Sequence, residues 1–265
     1  MTSGRRRPPI LVVAVALLAV AFFALPLLGL LQKASWSTLG DDLTTPVARD
    51  ALRLSLVCSL SATALSVLFG LPLAWVLARV QFPGKPLVRG LVLLPLVLPP
   101  VVGGVALLAA FSNQGLVNNW LDALFGFRVQ LTFTTAGAIL AETFVALPFF
   151  VITVEAALRS MDRRYEDVAS TLGAGRWTAF RRVTLPMILP SVVAGAVLAW
   201  ARALGEFGAT VTFAGNVIGR TQTLPLAVYL QLESNPDVAI ALSLVLLGIS
   251  LVLIVSLRDR WLQRS

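Results

Sequence analysis

Met161-DRRYEDVASTLGAGRWTAFRRVTLPMIL-Pro190 is the longest polar interruption in an otherwise apolar chain. Within it, Arg163–Leu172 reads as a short amphipathic helix. Tyr165, Val168, Ala169 and Leu172 recur at three- and four-residue spacing and make one apolar stripe. Glu166 and Asp167 fall near its start, where carboxylates favour the positive end of the helix dipole. Gly173 follows where a helix can turn off through a left-handed residue, which only glycine adopts without steric cost. Leu185-Pro186 opens the next apolar run, and a proline is tolerated in a first helical turn because its missing N–H would be unpaired there anyway. A helix, a glycine turn and a stiff re-entry can pass a push into the run that follows. On pattern alone, the same helix fits equally well as an amphipathic segment lying on a lipid surface, with its Arg residues on anionic headgroups.

Outward from this loop the chain is a series of membrane spans. It has 265 residues, 57% hydrophobic and only 13% charged, with a mean hydropathy of +0.87. That is far from the composition of a soluble domain. A bilayer-spanning helix needs about 20 mostly apolar residues. Ile10–Leu31, Leu54–Ala78, Gly90–Asn113 and Val238–Leu257 are uncharged and long enough. Val129–Ala157 carries Glu142 and Glu155, and Met187–Ala214 carries Arg202 and Glu206. The expectation is an all-α integral membrane protein of six transmembrane helices, a single transmembrane unit over 1–265, with the polar loop 158–186 between spans four and five.

Lys and Arg near span ends set the orientation. An even number of spans puts both termini on one side with the polar loop. That side holds Arg5, Arg6, Arg7, Arg79, Lys85, Arg89, Arg159, Arg163, Arg164, Arg176, Arg181, Arg182, Arg258, Arg260 and Arg264, fifteen in all. The other side holds five, Lys33, Arg49, Arg53, Arg128 and Arg220, with Arg202 inside a span. Both termini are therefore expected in the cytoplasm, in a multi-pass protein of the plasma (inner) membrane. The net charge of +8 is accordingly a topology signal; the Arg residues flank spans and form no stripe of the kind that binds nucleic acid.

The first run, behind Arg5–Arg7, is longer than a signal-peptide core and no clean small-x-small cleavage site follows it, so it reads as an uncleaved anchor. There is no histidine and one cysteine, Cys58, which excludes an intrachain disulfide, a Cys/His zinc site and a His-based relay or triad. Cys58 reads as a small buried apolar residue, and no metal or other cofactor is expected. Pro72, Pro95, Pro99, Pro100 and Pro148 fall in or near spans, as kinks in packing or as breaks that shape a pathway. Leu94-Pro-Leu-Val-Leu-Pro-Pro100, with Gly103-Gly104 behind it, is the strongest site for a bend. Of the segments on the far side, Gln32–Asp50 leaves room for a short interfacial helix. Gln114–Gln130 carries Trp120 and Phe125, which suit an interfacial aromatic belt. None is large enough to be a receptor domain.

The fifth run is the second informative stretch. Arg202, Glu206 and Thr210 stand four apart, on one face of a continuous helix. Charges within a span are expensive, face the bundle interior and need partners. Arg202 and Glu206 are each other's nearest candidates. Gly205 and Gly208 permit close helix approach or local unwinding. The pair reads either as a structural ion pair near the outer face or as the polar lining of a gate. Glu142 reads as a protonated or paired bundle residue.

Asp167-Val168-Ala169-x-x-x-Gly173, then nine residues, then Val183-x-Leu185-Pro186, resembles the EAA loop of ABC-importer permeases, Glu-Ala-Ala-x-x-x-Gly-x9-Ile-x-Leu-Pro. It departs at three positions, Asp for Glu, Val for Ala and Val for Ile, each keeping charge sign or apolar character. Ala201–Asn216, with Gly219-Arg-Thr-Gln-Thr-Leu-Pro-Leu-Ala-Val-Tyr229, is similar to the permeases of molybdate importers; sulfate permeases are similar through Gly205-Glu206 and less so over Thr221–Pro225. The resemblance implies the type I importer permease fold, with the loop as a cytoplasmic coupling helix seated in a groove of an ATPase subunit. Glu166, Asp167, Ala169, Gly173, Leu185 and Pro186 are then the coupling residues. Arg202, Glu206, Thr210, Thr212 and Asn216 lie in the gate or pathway region. The implied partners are a second copy of the chain, two ATP-binding subunits, an extracytoplasmic oxyanion-binding protein and membrane lipid. The implied function is ATP-driven import of molybdate by alternating access, with hydrolysis on the separate subunit. Sulfate and tungstate are the alternative substrates. An integral-membrane enzyme is disfavoured, because Glu142, Arg202 and Glu206 make no convergent catalytic set and no Gly-x4-Gly-Lys-Ser/Thr loop is present.

Overall fold

The structure is a computed structural model that describes residues 9–262, with side chains of the last helix described as far as Val255. Arg5, Arg6, Arg7 and Arg264 of the charge bias lie outside the described residues, as do the side chains of Arg258 and Arg260. Every regular element among the described residues is helical. In order they are α1 (Ile10–Lys33), α2 (Leu39–Thr44), α3 (Pro46–Arg79), α4 (Lys85–Val97), α5 (Pro100–Phe111), α6 (Leu116–Phe125) and α7 (Thr135–Ser160). Then follow α8 (Arg164–Thr171), α9 (Arg176–Ala179), a π-turn (Phe180–Thr184), α10 (Leu185–Leu204), α11 (Gly208–Phe213), α12 (Leu224–Ser234) and α13 (Pro236–Leu262). Six helical stretches are long and apolar enough to cross a membrane, the number expected from the sequence.

The core is a three-helix packing of α3, α7 and α10. Ala62, Ala74, Leu77, Phe150, Val154, Leu158, Ile188 and Ala199 are buried together in it. Phe150 is wedged between two glycines: a Cβ on Gly70 would lie 2.6 Å from Phe150 Cδ1, and one on Gly195 3.3 Å from Cδ2. The two neighbouring helices can approach this ring only because both positions lack a side chain. The second span runs longer than expected. Thr45 accepts a hydrogen bond from the Ala48 N–H (3.3 Å) and Pro46 occupies the first turn, so α3 starts eight residues before Leu54. Its 34 residues measure about 51 Å, longer than the hydrocarbon of a bilayer. By contrast, α1 buries none of its residues within the protomer.

Two of the expected spans are broken helices. Gly90–Asn113 breaks at Leu98 and Pro99, both extended, between α4 and α5. Consecutive prolines remove two N–H donors and push the residue before them out of the helical region. The break falls within the Leu94–Pro100 run, where a bend was expected. The stretch long enough to span here is Pro100–Phe125, joining α5 to α6. Asn118 ties that join together, donating to the Ser112 and Val129 carbonyls and accepting from the Val129 N–H.

Met187–Ala214 likewise ends at Leu204, and α11 begins only at Gly208. Arg202, Glu206 and Thr210 therefore do not share one continuous helix, because Gly205–Phe207 are unwound between them. At its other end this span starts early. Leu185-Pro186 is not a re-entry after a loop; the chain is already helical from Arg176. Pro186 cannot donate to the preceding turn and its ring would strike that turn's carbonyl. The π-turn, with the Leu185 N–H bonded to the Phe180 carbonyl, supplies the extra residue that accommodates it.

Candidate coupling loop and gate

Helix α8 is defined at both ends by its own sequence. Asp162 accepts from the Arg164 N–H at its start (2.9 Å). At its end the Gly173 N–H bonds the Ser170 carbonyl and the Ala174 N–H bonds the Ala169 carbonyl, both at 3.0 Å. This is the paired pattern of a Schellman cap, and it requires a left-handed residue, which Gly173 supplies at φ 84°. Ala169 enters the site through its carbonyl and its small, half-buried side chain. Tyr165, Val168 and Leu172 are exposed, and so is Trp177 on α9, stacked on Phe180 at 5.7 Å. Three of the four residues of the predicted stripe face away from the protomer, and Ala169 is half-buried.

The two neighbouring carboxylates point differently. Asp167 is exposed, whereas Glu166 turns inward. Its Oε1 accepts from Thr184 Oγ1 at 2.8 Å and pairs with Arg79 Nη2 at 3.3 Å. These groups border a cavity of about 470 Å³ that Trp75, Arg163, Asp167 and Arg176 also line. Leu185 and Pro186 stand one turn beyond, at the root of α10. Sequence reasoning missed Arg79 and Thr184, which lack any local signal. It also left Glu155 without a partner. That buried carboxylate holds Arg89 at 3.2 Å and Arg159 at 2.8 Å, tying α4 to α7 at the loop end of the bundle. Arg159, one helical turn after Glu155, was the legible half of this cluster.

At the other break, Arg202 Nη1 pairs with Glu206 Oε2. Glu206 is buried to 1% exposure, and its Oε1 accepts from the Ala209 N–H at 2.8 Å, capping α11. One carboxylate therefore ends α10 electrostatically and starts α11 by hydrogen bonding. Thr212 instead donates to the Gly208 carbonyl and packs over Gly104 of α5. Thr210 Oγ1 and Asn216 Oδ1 are buried with no hydrogen-bond partner among the described residues, so neither joins the pair. Glu142 is buried in α7, with its Oε2 likewise unpartnered.

The loop α8–α9 thus lies between the fourth and fifth of the six candidate spans, and the Arg202–Glu206 break lies at the far end of the fifth. Residues 66–264 match the family described as binding-protein-dependent transport system inner membrane component, and the chain belongs to that family. Among its relatives is the molybdenum transport system permease protein ModB of Mycobacterium tuberculosis, 47% identical over 92% of each chain. The protein of the same name from Escherichia coli K12 is 42% identical, over 79% of this chain and 93% of its own length. The sulfate transport system permease protein CysT of Escherichia coli K12 is 37% identical, over 86% of this chain and 81% of its own. A bacterial ABC transporter involved in the import of the acidic polysaccharide alginate has the same fold, with a TM-score of 0.75 at 21% identity over 96% of both chains. The chain is an ABC-importer permease, a multi-pass membrane protein, and not an enzyme.

Proposed function

We propose that this chain, as one permease unit over 1–265, carries molybdate into the cytoplasm by alternating access. Two copies work with two ATP-binding subunits and an extracytoplasmic oxyanion-binding protein. The observation that carries the reading is the outward face of α8: Tyr165, Val168 and Leu172 lie exposed beside Asp167 on a helix whose opposite side is pinned to the bundle. Apolar side chains on the polar end of a membrane protein need a protein cover, and an ATP-binding subunit moving on nucleotide binding would move α8 with it. The Arg202–Glu206 pair with Thr210, Thr212 and Asn216 forms the gate region at the far break. The molybdenum permeases among the relatives favour molybdate. The sulfate relative keeps sulfate as the second reading, and tungstate shares molybdate's charge and tetrahedral shape.

The excess of Lys and Arg on the α8 side supports cytoplasmic termini. Reporter fusions after Arg164 and at the C-terminus should both read cytoplasmic, and one near Asn118 should read external. An external Arg164 reporter would remove the coupling reading as well. For the substrate, uptake of labelled molybdate with the cognate binding protein should be competed by tungstate at comparable concentration and by sulfate only at large excess. Equal competition by sulfate would move the assignment to that anion.

A further inference from the structure

We propose that Glu166 is not an ATPase contact but the inward tether of the coupling helix, joining α8 at one oxygen to Arg79 on α3 and to Thr184 below α10. The inference rests on the coupling role of α8 proposed above.

Covalently, α8 reaches the fifth span only through Gly173-Ala174-Gly175, α9 and the π-turn. A turn with two glycines in three residues is compliant, and a push on α8 would be spent in bending it. The Glu166–Thr184 hydrogen bond closes that hairpin across its open side. Thr184 is 1% exposed and is the last residue of the π-turn, so the bond lands where α10 begins. The Arg79 ion pair then fixes the closed hairpin to the end of the second span. The Arg79 side chain is 7% exposed, and its Nε and Nη2 have no hydrogen-bond partner among the described residues, so it meets Glu166 as an ion pair and not as a hydrogen bond. A guanidinium so placed depends on its one carboxylate, because a buried charge without a counter-charge is strongly disfavoured. Asp167 also lines the cavity but makes no ion pair with Arg79. Displacement of α8 is thereby delivered to two spans at once, both members of the α3–α7–α10 core. Trp75 packing edge-on against Phe180 at 6.5 Å gives the same junction an apolar backing that survives loss of the charges.

The test uses the full complex with its ATP-binding subunits and molybdate-loaded binding protein in proteoliposomes. The variants are Glu166→Gln, Arg79→Gln, Arg79→Lys, Thr184→Val, and the exchange Arg79→Glu with Glu166→Arg. The readouts are complex assembly, the ratio of stimulated to basal ATP hydrolysis, and molybdate moved per ATP. The tether predicts that Glu166→Gln and Arg79→Gln assemble with the ATP-binding subunits. In both, the stimulation ratio and the transport stoichiometry should fall about tenfold, within the usual range for coupling between two sites. Arg79→Lys and the exchange should restore much of that loss, and Thr184→Val should fall between. Full stimulation in Glu166→Gln and Arg79→Gln overturns the tether and leaves the coupling role of α8 standing. Loss of assembly in Glu166→Gln alone also overturns it, by making Glu166 a docking contact. Losses that neither Arg79→Lys nor the exchange repairs reduce the junction to fold stability, and overturn it too. Failure of the wild-type permease to assemble with an ATP-binding subunit is the distinct outcome that removes the proposed function itself.

Discussion

Gly173→Val is expected to abolish both transport and the stimulation of ATP hydrolysis by loaded binding protein, while the permease still inserts in the membrane. The penalty is conformational. A Cβ at Gly173 would meet no atom within 4 Å, so nothing crowds the new side chain. The backbone there is left-handed, which costs an L-residue about 1–2 kcal/mol and disfavours a β-branched one most strongly. Relaxing that torsion breaks the two cap bonds to Ser170 and Ala169 and swings α8 away from its present direction. The order of activity should run Gly, Asn, Ala, Val, because asparagine tolerates the left-handed region better than its size implies. Normal stimulated hydrolysis by an assembled Gly173→Val complex would refute the coupling role.

Arg202→Met should be the most damaging single change in the spans. It leaves Glu206, at 1% exposure, with one backbone N–H as its only remaining partner among the described residues, and breaking a buried pair in this way costs about 3–5 kcal/mol. Glu206→Gln should be milder, because an amide oxygen can still accept from the Ala209 N–H, and Arg202 is one-quarter exposed. The double variant should recover part of what either loses, in both thermal denaturation and transport. Were Arg202 a direct anion contact instead, Arg202→Met would abolish transport and the change at Glu206 would rescue nothing. Strict additivity in the double-mutant cycle would mean that the two side chains do not interact.

What the sequence made legible was local. Six apolar runs, the amphipathic stripe at Tyr165, Val168 and Leu172, the left-handed Gly173 and the i,i+4 relation of Arg202 and Glu206 all follow from neighbours within a few residues. The bend near Pro99 was legible for the same reason. Hidden were features that depend on contacts between distant parts of the chain. Arg79 and Glu166 meet only because the last residue of α3 lies beside the first turn of α8. The unwinding at Gly205–Phe207 goes with Gly208 seated against Pro100, and no pattern within the fifth run reveals that neighbour. The π-turn fell between the two. Pro186 announced that something must give, but not whether the helix would start there or bulge before it, as it does over Phe180–Thr184.

The two helix breaks lie side by side, since a Cβ on Gly208 would sit 2.8 Å from the Pro100 Cβ. Beyond that level α5 and α11 pack against each other and against α7, and each is joined to the helix before it by a few non-helical residues. Such a joint turns through a handful of backbone torsions, whereas an unbroken helix would have to be bent along its length. Both joints stand beside the unbroken α7, whose Ala141 and Val145 are buried with Leu107 of α5 and Ala209 and Phe213 of α11, and Glu206 links α10 to α11 across the second of them.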